Sequence, residues 1–157
     1  MMTLTIVSLC IAVGGIVLML RGGVPESVSG LVYNLSERMR WAWSGWLIAV
    51  ATTLMVPLMS ALGDVAWLGW LTVVCLIGAA VTPVFNRDTR TTHYVCGIAA
   101  GVLSQVCVAC ICPWWLLVWP VWLLVFTWKT CGVDDWKHAV LWMEMTAAAA
   151  VYGALIL

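Results

Sequence analysis

Between residues 41 and 85 a single charged residue, Asp64, interrupts a run in which most positions are apolar. Few environments accept so long an uncharged stretch, and lipid is the obvious one. A membrane-crossing helix needs roughly 17–25 mostly apolar residues to match a hydrocarbon layer about 30 Å thick. The rest of the chain repeats the pattern, with apolar blocks separated by short polar loops.

Six such blocks are predicted as spans: about 3–20, 41–62, 65–84, 93–112, 114–128 and 138–157. Pro57 is a kink within the second, and Pro83 marks the end of the third. The fifth block is the short one. Its 15 or so residues make only about 22 Å of straight helix, and Pro113 and Pro120 interrupt it. It is read as a true span; a span starting earlier, at 110–112, and a hairpin with the fourth block that does not fully cross are the alternatives. The fold class is therefore all-α, a six-helix transmembrane bundle, with residues 1–157 forming one integral membrane domain.

Composition agrees. Only 9% of the residues are charged and mean hydropathy is +1.07, against about 25% charged in an ordinary soluble domain. Seven acidic residues balance seven basic ones, so there is no basic footprint and no nucleic-acid partner is expected. The first block is read as a retained span rather than a signal peptide, because no Lys or Arg precedes it and no small-residue cleavage pattern follows.

The bases set the orientation. Arg21, Arg38 and Arg40 fall in the first loop, Arg87 and Arg90 in the third, Lys129 and Lys137 in the fifth. Six spans put all three loops on one side, which the positive-inside rule makes cytoplasmic. Both termini then lie outside.

The least apolar stretch is 24–40, VPESVSGLVYNLSERMR. Pro25 and Glu26 suit the first turn of a helix. Val28, Leu31, Val32, Leu35 and Met39 follow at helical spacing, with Ser27, Asn34, Glu37 and Arg38 off that stripe. One amphipathic interfacial helix over about 25–40 is expected, lying on the membrane or re-entering it with its polar face on protein.

Glu144 is the costly residue. It sits inside the last block, about 10 Å along the helix from Lys137, among Leu141, Trp142, Met143 and Met145. A carboxylate there must be protonated or paired. Candidate partners are His93, Arg87, Arg90 and the polar face of 27–34. Glu26, Ser27, Ser29, Asn34, Asp88, His93, Asp134, Asp135, His138 and Glu144 all fall in the cytoplasmic half. The candidate ligand-binding set is Glu26, Ser27, Ser29, His93 and Glu144. Without an HxxxH, HxxE or HExxH spacing no metal and no cofactor is expected.

The Cys107, Cys110, Cys112 cluster is read as small apolar packing, a disulfide being the alternative. Gly97 and Gly101, and the run Ala147 to Ala150, are read as close helix contacts. Of the twelve Trp residues, Trp41, Trp43, Trp67, Trp114, Trp115, Trp128 and Trp136 fall at span ends, as an interfacial belt would. Trp46, Trp70, Trp119, Trp122 and Trp142 are deeper.

Pro25, Ser27 and Ser29 after the first block, Pro83 and Phe85 closing the third, His93 opening the fourth and Trp142 with Glu144 in the last resemble the pattern of a group of small uncharacterised bacterial multi-pass membrane proteins. That resemblance implies a bacterial inner membrane and a common site for Ser27, Ser29, His93 and Glu144; it implies no activity. More distantly, the chain is similar to the seven-span membrane hydrolases of the alkaline ceramidase and progestin-receptor type, from which it departs in span number and in lacking their paired-His helix. The expected function is binding of a lipid or small ligand at a polar site near the cytoplasmic interface. A metal- or serine-dependent lipid hydrolase, a transporter or channel, and a structural subunit of an assembly are the alternatives.

Overall fold

The computed structural model describes residues 2–85, 90–130 and 138–157. Arg87, Asp88, Cys131, Asp134, Asp135, Trp136 and Lys137 lie outside the described residues. The protein is all-α: α1 Met2–Leu20, α2 Val28–Leu31, α3 Glu37–Leu62, α4 Ala66–Phe85, α5 Arg90–Ile111, α6 Val118–Thr130 and α7 Ala139–Ile156. Short 3-10 turns at Val32–Asn34, Gly63–Val65 and Pro113–Leu117 join or extend them.

Four stretches are long and apolar enough to cross a membrane: Met2–Leu20, Glu37–Phe85, Arg90–Ile111 and Ala139–Ile156. The second is two helices. Gly63 takes φ +55° and ends α3, a backbone state glycine adopts without steric penalty. The chain then reverses, so that Ser44 near the start of α3 donates to the Ala80 carbonyl near the end of α4 at 2.7 Å. Close approach at the turn needs Gly69, whose Cβ would lie 2.9 Å from Leu62. Helix α6, with 13 residues, is only about 20 Å long; the preceding 3-10 turn of five residues adds about 10 Å. The fifth block thus reaches a span's length only with help from a tighter helix, which Pro113 starts at the first position of the turn.

Helix α4 packs between α3 and α5, and α7 lies on α5 and α1. Small residues set the closest approaches. A Cβ on Gly15 would overlap the Trp46 ring at 2.0 Å, and one on Gly153 would overlap Trp115 at 2.6 Å. Trp46 thereby reaches the Ile11 carbonyl at 2.8 Å. Ser8 on α1 meets the Tyr152 hydroxyl of α7 at 2.8 Å. Ser8, Ser44 and Trp46 thus find partners on other helices, while Thr52, Thr53, Thr72 and Thr146 donate to carbonyls of their own helix, as lipid requires.

One local expectation is corrected. Residues 25–40 do not form a single amphipathic helix. Pro25 and Glu26 precede the helix, Ser27 is extended (φ −157°, ψ 154°) and caps α2. Leu35 returns to extended backbone (φ −83°, ψ 152°) after the 3-10 turn, and Glu37 to Arg40 belong to α3. Ser27 prefers the capping geometry, in which its hydroxyl accepts from Gly30 N–H at 2.8 Å. The result is a compact knot over 27–34 that tucks under the bundle, with Val32 fully buried.

Candidate functional site

The knot is held by α7. The first N–H groups of a helix have no acceptor within it, and Glu144 supplies one. Its Oε2 accepts from Val28 N–H at 2.6 Å and its Oε1 from Ser29 N–H at 3.2 Å. The Ser29 hydroxyl donates to the same Oε1. Glu26 and Pro25 contribute carbonyls, which accept from Leu141 N–H at 3.2 Å and meet His138 Nδ1 at 3.0 Å. The side chain of Glu26 is exposed.

His93 ties the knot to the other side. It is completely buried. Its Nδ1 lies 2.8 Å from the Ala79 carbonyl of α4, and its Nε2 lies 3.0 Å from the Ser29 carbonyl. Carbonyl oxygens only accept, so a neutral imidazole donates from one ring nitrogen and each tautomer serves one of these two carbonyls. Ser29 therefore stands between the His93 ring, on its carbonyl, and the Glu144 carboxyl, on its N–H and hydroxyl.

Around His93 sit Tyr33, Trp43 and Tyr94, with ring centroids at 5.3, 6.2 and 5.6 Å. Arg90, expected as a partner for Glu144, instead lies over the Tyr33 ring at 4.7 Å, a cation–π contact. Burial and neighbouring Tyr94 push the Tyr33 phenol above its ordinary value, against the opposite pull of Arg90.

A cavity of about 230 Å³ opens beside this cluster. Ser29, His93 and Glu144 line it at one end, and Val50, Leu54, Leu76 and Val151 line its apolar length. Small residues make the room. Gly97 and Gly101 face it, and a Cβ on either would meet nothing within 4 Å. Ala100, Ala147 and Ala148 line it as well. The GxxxG spacing of α5 is thus not a helix contact, as expected, but part of a cavity wall.

Trp43 is the residue that sequence reading misplaced. Its position at a span end suggested an interfacial belt, which fits exposed Trp41, Trp67 and Trp114. Trp43 is 5% exposed, lines the cavity, and its Nε1 has no hydrogen-bond partner among the described residues. Only its position two residues after Trp41, on another face of the helix, separates the two in sequence.

The six described cysteines are free thiols; Cys107 is buried beside Thr72, at 3.5 Å, while Cys110 is exposed. Among the described residues no three His, Cys, Asp or Glu side chains gather as metal ligands.

The apolar helices, the internally bonded polar side chains and the buried cluster define an integral membrane protein. No family model matches the chain, and no curated protein or solved structure is similar to it.

Proposed function

We propose that the protein binds a lipid or other small amphipathic ligand, its polar end at Ser29, His93 and Glu144 and its apolar chain between α1, α3, α5 and α7. One observation carries this reading: a single cavity shares its walls between that polar cluster and apolar side chains. Ligand sites are concave, mostly apolar and furnished with a few placed polar groups. Gly101→Leu tests it, since the added side chain enters the cavity without meeting another group at its Cβ. Mass spectrometry of protein extracted with its native lipids should show a bound species that Gly101→Leu loses while the variant remains folded. Equal lipid content in both would sink the reading.

The polar end belongs on the cytoplasmic side of a bacterial inner membrane. Arg21, Arg38, Arg40 and Arg90 occupy the loops and helix starts at that end, in keeping with the positive-inside rule. The resemblance to small bacterial multi-pass proteins supports the compartment. Ser27 takes part as the cap that shapes α2, and Glu26 through its carbonyl.

A hydrolase reading rests on the Ser29 hydroxyl, which donates to Glu144 as a nucleophile would to its base. His93 faces the Ser29 carbonyl rather than its hydroxyl. Labelling of Ser29 by a fluorophosphonate, abolished in Glu144→Gln, is the outcome that reading requires.

A further inference from the structure

A second cavity lies between the start of α3 and the end of α4, and it shares no lining residue with the first. Glu37, Arg40, Trp41, Pro83 and Val84 line it.

Register places this cavity at the membrane surface. Ser44 is bonded to Ala80, so Arg40, one turn earlier on α3, stands level with the last residues of α4, and Glu37 stands beyond them. Helix α4 has 20 residues, about 30 Å, which matches the hydrocarbon layer. Helix α3 has 26, and its extra turns carry Glu37 and Arg40 into the head-group layer. Trp41 stands at that level, 53% exposed and edge to face with exposed Phe85 at 5.5 Å, where Trp residues anchor a helix to the interface.

The two charges in the wall are not spent on each other. A carboxylate and a guanidinium three residues apart on a helix are within pairing distance. Arg40 instead donates its Nε–H to the Leu35 carbonyl at 2.9 Å, and among the described residues neither it nor Glu37 has an ion-pair partner. The bond to Leu35 holds the plane of the guanidinium and leaves its two terminal amino groups, a fork that fits phosphate oxygens. Glu37 is exposed and offers carboxylate oxygens to a cation. Exposed Arg38 does not line the cavity. One acid and one base in one wall complement a ligand that carries both charges. A purely anionic head group would find Arg40 but would also face Glu37.

We infer that this cavity seats the head group of a zwitterionic phospholipid, its phosphate on Arg40 and its ammonium on Glu37, as a site independent of the amphiphile cavity. The test is native mass spectrometry of the protein released from nanodiscs that hold equal parts of phosphatidylethanolamine and phosphatidylglycerol with the same acyl chains. Phosphatidylethanolamine should be retained about fivefold over phosphatidylglycerol, the worth of one exposed ion pair. Glu37→Gln should bring that ratio close to one, and Arg40→Gln should lose the retained lipid. Gly101→Leu, in the other cavity, should leave the ratio unchanged. Equal retention of the two lipids by the wild type, or a preference for phosphatidylglycerol, overturns the inference. So does a ratio that survives both Glu37→Gln and Arg40→Gln; if Gly101→Leu then abolishes it, the lipid belongs to the first cavity and the amphiphile reading stands. Water-soluble glycerophosphoethanolamine at equal concentration should not displace the lipid; displacement would assign the site to a soluble ester and overturn the lipid assignment.

Discussion

Replacing Glu144 separates its possible roles by magnitude. In the wild type its two oxygens accept Val28 N–H, Ser29 N–H and the Ser29 hydroxyl. Glu144→Ala leaves three donors without an acceptor, at about 1–3 kcal/mol each when fully buried. Glu144 is only half-buried, so water offsets part of this and the low end applies, about 3 kcal/mol in all. Glu144→Gln keeps one oxygen, which serves the two Ser29 donors. Its NH2 then opposes Val28 N–H, where the bond of 2.6 Å is lost, for about 2 kcal/mol. Unfolding in mixed micelles of rising SDS content would give the order wild type, Gln, Ala. A double-mutant cycle with Ser29→Ala should show a coupling of about 1–2 kcal/mol, as residues sharing one network do. Two outcomes refute the reasoning. Stability of Glu144→Ala within about 0.5 kcal/mol of wild type, the range of featureless surface changes, would mean the carboxylate does not hold the knot. Glu144→Gln matching wild type while Glu144→Ala falls would mean the acid is protonated, because an amide presents the same donor and acceptor as a neutral carboxyl.

His93→Phe, which keeps a ring and removes both nitrogens at the Ala79 and Ser29 carbonyls, should destabilise by about 1–3 kcal/mol; stability equal to wild type would refute the tie between α4 and the knot. Gly15→Ala drives a methyl into Trp46 and should destabilise by about 1–3 kcal/mol, whereas Gly14→Ala, with nothing within 4 Å, should be neutral or stabilising; equal effects would misplace the α1–α3 contact. A cysteine introduced at Ser36 should label only from the cytoplasmic side of intact cells and one at Asp64 only from outside, in a background lacking the native cysteines. The reverse pattern would invert the orientation.

The all-α class and nearly every helix follow from the linear pattern, because a chain in lipid has little choice but to satisfy its backbone within helices. The expected blocks 41–62, 65–84, 93–112 and 138–157 match Glu37–Leu62, Ala66–Phe85, Arg90–Ile111 and Ala139–Ile156 to within about one turn. Even the juxtaposition of Ser29, His93 and Glu144 was legible. Polar residues are expensive at these depths, and alternation of spans brings the relevant loops to one end. What sequence could not supply was direction. Whether Ser27 caps or continues a helix depends on Glu144 waiting 115 residues away from Ser29 to receive the first N–H groups. Whether glycine marks contact or space depends on what faces it. Gly15 meets an indole at 2.0 Å, and Gly101 meets nothing within 4 Å. Trp41 and Trp43 differ in the same way, one 53% exposed and one 5%. The sequence by itself determined that this chain forms membrane helices and which few polar residues they must reconcile. The tertiary structure alone decided that these residues bond through one serine and that small side chains hold a cavity open beside them, because both depend on helix rotation, which an almost uniformly apolar sequence does not encode.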